Sequence, residues 1–560
     1  MTRTATTTAW TSTNGIVLAD LVPAALRRRW VEQGYCPDRD LYTLFSEHVR
    51  AHPQRAAVID ATGAIDYATL DTRVRRIAAA LAGTGLGPRD IVGIQVPNGW
   101  RAAAAELAIA AIGAVALPYP AGRGRRDSLS LLGRSRASAA IVADVAGSVP
   151  LAANLAGLRP DLPDLRTVFV FGAAPAGCEP LDQWLADEVA QRRWCPAPVD
   201  PQAPARILVS SGSEAEPKMV AYAHSAMAGG RGNYIGALHD GSQTMRGLIL
   251  VPLASSYGSC GMVILARHGG TLVLLDAFEP AAALRMITDH QATHVFGVPI
   301  MLRRIAEQPQ ASGEDTSCLR VLVSSSAALP ATTIEACRAR FGCSVVNIYG
   351  SADGVNCHTA RGGCVPVPGC AGRPDPTVAD IRIVDAAGRP VPAGQAGEIW
   401  SLGPMTPLCY VNAPELDARY RAPGGWVRTG DRGLIGPDSC LRVVDRLKQI
   451  VIRGGYHISP AEVERQLAAH PAIADAACIA VPDPEFGERL CACITQRPDT
   501  PPVTLAQLNA FLEGERGLER RKLPELLLAL PELPLGPTDK VCRQTLTRLA
   551  AGQPGCRAQP

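Results

Sequence analysis

The chain has 560 residues, 47% hydrophobic and 19% charged, and its 55 basic and 52 acidic residues leave a formal net charge of +3. That length exceeds one ordinary core and predicts a large domain with at least one smaller one. The near-balanced charge, with no basic stripe interleaved with aromatics, excludes a nucleic-acid surface, and the lack of like-charge blocks confines disorder to the ends.

In chain order, the N-terminal "MTRTATTTAWTSTNG" is polar and lacks the apolar stretch of a secretory signal, which predicts a cytoplasmic location. The longest apolar run, 102–120, is interrupted by Glu106 and ends in prolines. It reads as a buried helix and a following strand, with no membrane span. Up to about residue 440, short β-branched runs such as "AAVID", "IVGIQVP", "TVFVFG", "TLVLLD" and "SVVNIYG" alternate with helical periods rich in Ala, Leu and Arg. This alternation predicts an α/β fold of parallel sheets covered by helices, with ligand sites at the carboxyl ends of the strands. Over 368–403 the pattern turns to short strands and Gly/Pro turns, a small β-rich module. From Leu441 a compact α+β segment opens, and Ser459-Pro460 predicts the start of a helix over 461–469. The expected division is a large N-terminal domain, 1–445, and a small C-terminal domain, 446–560.

The 17 cysteines are an odd, scattered set that suits reduced thiols better than a disulfide framework. Cys357, His358, Cys364 and Cys370 cluster, but without zinc-site spacing. Lysine is more telling: only Lys218, Lys448, Lys522 and Lys540 occur. In a chain that uses arginine wherever a generic positive charge serves, a lysine marks a place for a slim point charge, unless codon bias alone explains it. The surroundings decide.

Lys218 ends "ILVSSGSEAEPK". There Ser210, Ser211, Gly212 and Ser213 present hydroxyls and backbone N–H groups suited to phosphate oxygens, and the lysine adds charge. The glycine spacing of a GxxxxGK[ST] loop is absent, and a plain Ser/Gly turn is the alternative. "NIYGSADG" carries Tyr349, an aromatic suited to a base, then Gly350, Ser351 and Asp353, a hard oxygen ligand suited to magnesium. "WVRTGDRG" presents Asp431 at a turn, able to accept from two ribose hydroxyls. "DRLKQIVIRGGYHISPAEVE" holds Arg446, Lys448 and a glycine pair, and "LPLGPTDKVCR" places Lys540 on a Gly/Pro loop.

In this order, over about residues 40–545, these five motifs resemble the adenylate-forming superfamily of acyl- and aryl-CoA synthetases, adenylation domains and luciferases. The resemblance implies a two-step ligase reaction. A carboxylate attacks the α-phosphate of ATP to give an acyl adenylate and pyrophosphate, and a nucleophile then displaces AMP. It further implies that the 210–218 loop holds the β- and γ-phosphates, that Asp353 holds Mg2+, and that Asp431 and Arg446 fix the ribose. Lys540 would bridge the carboxylate and the α-phosphate, and Lys448 would be the hinge about which a mobile small domain swings. An interdomain salt bridge is the plain alternative for Arg446 and Lys448.

Two stretches depart from the family pattern. Glu214 and Ala215 stand where threonine and glycine are usual, and Asp353 is one methylene shorter than the usual glutamate. A bare carboxylate facing a triphosphate would be repelled by a few kcal/mol, on the order expected at intermediate dielectric. Either backbone N–H groups grip the phosphates while Glu214 turns to solvent or an arginine, or Glu214 joins the magnesium shell.

Within the superfamily, "VEQGYCPDRDLYTLFSEHV", "LPYPAGRGRRD" and "FGCSVVNIYGSADGVN" look most like stand-alone aryl-acid activating enzymes of the 2,3-dihydroxybenzoate-AMP ligase kind. The acid pocket is expected along 251–261, 295–299 and 323–329, with Ser255, Ser256, Tyr257, Gly297, Ser325 and Ser326 as its residues. Relatives that activate α-amino acids place an aspartate in the first stretch, and none occurs here, so a buried ammonium would lack a partner. Serines at 255 and 256 replace the His-Asn pair of dihydroxybenzoate enzymes, which implies another aryl, cyclic or medium aliphatic acid. Serines that merely bond local backbone are the alternative. A thiol of CoA or of a carrier protein is the expected acceptor. An amide synthetase using an amine is the second reading, and a catalytically degenerate binder the third.

Overall fold

The computed structural model describes residues 9–189, 194–210, 216–239, 241, 244–310, 312, 314–326, 329, 331–354, 356–358, 370–446, 451–498, 500–534 and 543–552. The alternation seen in the sequence becomes two helix-covered, largely parallel sheets. One has seven strands, running from Met219–Ala223 at one edge through Pro204–Val209, Val115–Pro118, Ile91–Gln95, Ala139–Ala143 and Thr167–Phe171 to Glu179–Pro180. Only the hairpin of 204–209 with 219–223 is antiparallel. The other has eight strands, with Ser344–Gly350, Val321–Ser324, His294–Gly297, Arg246–Ile249, Thr271–Leu274 and Ala56–Asp60 parallel at its centre and an antiparallel strand at each edge. Strands buried on both faces read as continuous apolar runs.

Helix Trp100–Ala111 is buried at every position except Arg101, as an alanine-rich helix inside a large core must be. It begins the long apolar run, and strand Val115–Pro118 ends it. Glu106 interrupts the run for a reason the local sequence does not show: it forms a buried ion pair with Arg206 of strand Pro204–Val209. No helix among the described residues is long and apolar enough to cross a membrane.

Beyond the parallel sheets, the strands of a five-stranded antiparallel sheet follow the order Cys370–Gly372, Leu441–Arg446, Val427–Ile435, Gly397–Leu402, Asp380–Val384. A last sheet pairs Tyr456–Ile458, Val451–Arg453, Gly487–Gln496 and Ile473–Asp483, with Leu526–Ala529 running parallel to 487–496. Helix Pro460–Leu467 starts where Ser459-Pro460 predicts, the Ser459 side chain accepting from the Glu462 N–H at 3.3 Å. Among the cysteines whose side chains are described, twelve are free thiols and Cys440 is disulfide-bonded, so the expectation of reduced thiols holds with one exception. Cys364 and the side chains of Cys357 and His358 lie outside the described residues.

Two histidines make the core sensitive to acid. His224 is fully buried and its Nδ1 accepts from the Leu41 N–H at 3.3 Å, which requires the neutral ring. His268 bonds the Gly232 carbonyl at 2.8 Å through Nε2. Burial pulls both pKa values down to about 4. Because the unfolded chain takes up these protons near pH 6.5 and the folded chain does not, their contribution to stability is complete above that pH and is lost as pH falls toward 4. Melting across this window should show a decline on the order of a few kcal/mol per histidine, shallower in His268→Gln, and a flat profile would contradict it.

Candidate functional site

Both large sheets and the C-terminal segment converge on one cavity of about 250 Å³. On one side the hairpin of 204–209 and 219–223 closes with the Ser210 N–H donating to the Lys218 carbonyl at 2.9 Å. Ser210 and Lys218 both line the cavity, and Ser210 Oγ is buried without a hydrogen-bond partner. Lys218 Nζ sits 3.6 Å from the centroid of the Tyr420 ring and 5.6 Å from that of Tyr410, so aromatic faces flank the ammonium. Ser211, Gly212, Ser213 and Glu214 lie outside the described residues, so both readings of Glu214 remain expectations.

Strand Ser344–Gly350 delivers the second set of groups. It ends at Gly350, and Gly350, Ser351 and Asp353 all line the cavity. Asp353 is 7% exposed and its Oδ1 accepts from the Tyr410 hydroxyl at 2.6 Å, while its N–H donates to Ser351 Oγ at 3.1 Å. Burial first, and then the neighbouring Asp353 charge, push the Tyr410 phenol well above its usual pKa, so it remains a donor. Asp431, which lies within strand Val427–Ile435 of the antiparallel sheet and not at the expected turn, also lines the cavity, and its Oδ2 accepts from the Tyr349 hydroxyl at 2.6 Å. In the antiparallel register Asp431 faces Arg446 directly, although Arg446 is described in its backbone alone. Lys448 and Lys540 lie outside the described residues.

The side of the cavity expected to take the acid is built between strand Arg246–Ile249 and helix Ser259–His268. Ser255, Ser256 and Tyr257 line the cavity. Ser255 Oγ accepts from the Gly258 N–H at 2.9 Å, and Tyr257 donates to the Val323 carbonyl at 2.8 Å, fixing its ring as a wall. Ser325 and Ser326 line the opposite face, where Ser325 donates to the Ile348 carbonyl at 3.2 Å. Ser325 therefore commits its hydroxyl proton to backbone, the plainer of the two readings, while Ser255 accepts from backbone through Oγ. Ser326 has φ +73°, a left-handed conformation that favours glycine. Gly297 is not in the wall: it packs against Leu250 and Leu302, and its neighbour Val298 lines the cavity.

The expected site residues leave out two groups that line the cavity, although 454–457 lie within the motif that carries Arg446 and Lys448, and Cys260 within the stretch 251–261. One is Arg231, Tyr234 and Cys260, beneath Ser256; Arg231 closes a π-helical turn over Met227–Arg231. The other is Gly454, Gly455, Tyr456, His457 and Arg521 from the C-terminal segment. The glycine pair was the visible signal for the latter. At Gly455, φ +82°, a Cβ would fall 2.2 Å from Val298 Cγ1, so the loop reaches the acid side only because it has no side chain there. His457 Nε2 bonds the Ser326 carbonyl at 2.9 Å.

Beside the cavity the C-terminal segment is held by buried charge. Lys522 Nζ, 1% exposed, donates to Glu462 Oε1 at 2.9 Å and to Asp127 Oδ2 at 3.2 Å. Arg123 pairs with Asp127 at 3.2 Å, and the Tyr456 hydroxyl donates to Glu519 Oε2 at 2.6 Å. Burial alone would raise the Asp127 pKa, but Arg123 and Lys522 outweigh it and hold the carboxyl below its usual range. Burial keeps Glu462 and Glu519 raised despite the same cations. Backbone also meets here: a Cβ on Gly124 would lie 2.9 Å from the Gly517 carbonyl.

Comparison with known proteins gives a consistent result. Residues 45–411 match the AMP-binding enzyme family, and residues 462–540 match the AMP-binding enzyme C-terminal domain. The chain is 31% identical over 542 residues to a salicyl-AMP ligase / salicyl-S-ArCP synthetase of Mycobacterium tuberculosis, covering 94% of this chain and 93% of that protein. It is 30% identical over 548 residues to the 2-hydroxy-7-methoxy-5-methyl-1-naphthoate–CoA ligase of Streptomyces carzinostaticus, covering 95% and 96%. Among solved structures, the amide bond synthetase McbA of Marinactinospora thermotolerans superposes with a TM-score of 0.80 at 29% identity, covering 90% of this chain and 99% of that one.

Proposed function

Because the chain belongs to the AMP-binding enzyme family, we propose that it activates an aryl, cyclic or medium aliphatic carboxylic acid with ATP and passes the acyl group to a thiol. The observation that carries this reading is convergence: the phosphate-type residues Ser210 and Lys218, the ribose-type Asp431 and the acid-side Ser256 and Tyr257 all open onto one cavity.

The residues present suit the nucleotide. The unpartnered Ser210 hydroxyl and the Lys218 charge are the groups the resemblance assigns to the β- and γ-phosphates, and Asp431 the one it assigns to the ribose. A Mg2+ ion accompanying a triphosphate needs only one or two protein carboxylates, and Asp353 supplies one; the ion would neutralise phosphate charge during attack. What the chain itself does is orient and discriminate. The Tyr349 hydroxyl aims the Asp431 carboxylate, the Tyr410 hydroxyl aims Asp353, and the ring of Tyr257 walls the acid side. Lys540 is proposed to join the reacting carboxylate to the α-phosphate, a contact that strengthens as the new bond forms. An α-amino acid is disfavoured on the acid side, where the buried Arg231 would repel its ammonium.

The division at 445/446, the hinge role of Lys448 and a cytoplasmic location belong to the same proposal. So does the choice of thiol acceptor, CoA or a carrier-protein phosphopantetheine; likeness to an amide bond synthetase supports transfer to an amine as the second reading. The test is pyrophosphate release with a panel of acids, repeated with CoA, a phosphopantetheinylated carrier protein and amines. Thiol-dependent AMP release supports the main reading, amine-dependent release that ignores thiols replaces it with the second, and no pyrophosphate with any acid removes both.

A further inference from the structure

Arg231 is out of place in a pocket that only has to hold an apolar ring. Its side chain is 2% exposed, and its Nη1 donates to the Ser256 carbonyl at 2.9 Å. Its Nε and Nη2 are buried with no hydrogen-bond partner. These two atoms form one edge of the guanidinium, the edge with which this same protein grips carboxylates elsewhere. Arg27 donates from Nε and Nη2 to the two oxygens of Asp20 at 2.9 and 3.0 Å, and Arg136 does the same to Asp164 at 2.9 and 3.3 Å.

The neighbours do not satisfy that edge. The Tyr222 hydroxyl, which donates to the Ala352 carbonyl at 2.7 Å, and the buried Cys260 thiol both lie beside the guanidinium and can offer it a lone pair, but both are neutral and neither makes a well-formed hydrogen bond to Nε or Nη2. The nearby carboxylate of Glu106 is taken by Arg206, which itself stands close enough to repel Arg231. Arg231 thus adds a second buried guanidinium beside the Arg206–Glu106 pair. An unpaired buried donor is costly and an unneutralised buried charge more so, and such a group persists where a ligand completes it. The π-helical turn over Met227–Arg231 that carries the residue is the kind of irregularity found at functional sites.

We propose that Arg231 selects acids carrying a second acceptor oxygen, remote from the carboxylate that is activated, by taking that oxygen on its Nε/Nη2 edge. The paired donors suit a second carboxylate best, and a ring hydroxyl or carbonyl offers the same chemistry with one oxygen. The inference rests on the acid-activating reading and names its substrate class.

The test compares matched acids: benzoate with 3-hydroxybenzoate and isophthalate, and hexanoate with adipate. Pyrophosphate release is measured for the wild type, Arg231→Met and Arg231→Lys, and calorimetry follows binding of the same acids without ATP. For the wild type, kcat/KM with the second oxygen present should exceed that of the plain partner by about 10²-fold or more. Arg231→Met should collapse that ratio to near unity, and Arg231→Lys should keep part of it. The ratio, not the absolute rate, is read, so a partly destabilised variant still reports. Isophthalate and adipate against 3-hydroxybenzoate tell a carboxylate from a hydroxyl. A wild type that prefers the plain acids, or a variant in which all acids fall together and the ratio stands, overturns the inference and leaves the ligase reading in place. Arg231-dependent binding of isophthalate without turnover of any acid does the reverse, and neither binding nor turnover removes both.

Discussion

Lys540→Ala is expected to lower acid-dependent pyrophosphate release by about 10³-fold while leaving the melting temperature unchanged. The size follows from the role: loss of one pre-positioned donor to charge that develops in the transition state costs on the order of 10²–10³ in rate, and an ammonium carries a full charge. The argument for this residue is chemical. In a chain with 51 arginines to four lysines, counting 55 basic residues less the four, the lysine in the stretch "LPLGPTDKVCR" is proposed to supply a narrow point charge that a planar fork does not imitate. Lys540→Arg should accordingly fail to restore the rate. Near-normal pyrophosphate release by Lys540→Ala would remove the assigned role without touching the fold.

Lys522→Met should act on the other half of the reaction. Removing the ammonium leaves Asp127 and Glu462 facing each other across a buried junction, and breaking a buried pair by deleting one partner costs about 3–5 kcal/mol. That energy holds the C-terminal segment in the orientation that brings Gly455 against Val298 and His457 to Ser326. Its loss should reduce the population so docked by about 10²-fold or more. If this orientation serves transfer, single-turnover release of AMP from a preformed acyl adenylate should slow by a similar factor, with pyrophosphate release much less affected. Asp127→Asn, altered on the other side of the junction, should behave alike, and the double variant should be no worse than the sum. Equal transfer rates in wild type and variant would show that the cluster does not govern this step.

Much of the site is legible in the sequence because its signals are local. Apolar β-branched runs of four to six residues specify strands by their own burial. A serine followed by proline caps a helix whatever it packs against, and the cavity collects Ser210, Lys218 and Asp353 from loops and Asp431 from a strand, in stretches whose composition already suits phosphate, metal and ribose. The two remaining kinds of group have no local signature. Serine side chains at 255 and 325 look alike in sequence whether they face a ligand or backbone; only the fold shows that Ser325 donates to the Ile348 carbonyl and that Ser255 accepts from the Gly258 N–H. Lys522 stands out by rarity, yet its partners Asp127 and Glu462 are 395 and 60 positions away.

The order of residues thus suffices for the alternation of strand and helix, the succession of the loops and the kind of chemistry each loop can perform. Each of those depends on a residue and its near neighbours. Three matters are settled only when the chain is folded: which hydroxyls remain for a ligand, why Glu106 is tolerated inside a helix, and that Arg231 turns a donor edge toward no partner. A buried polar group is stabilised or left wanting by atoms brought beside it from distant parts of the chain, and no short stretch of sequence records that company.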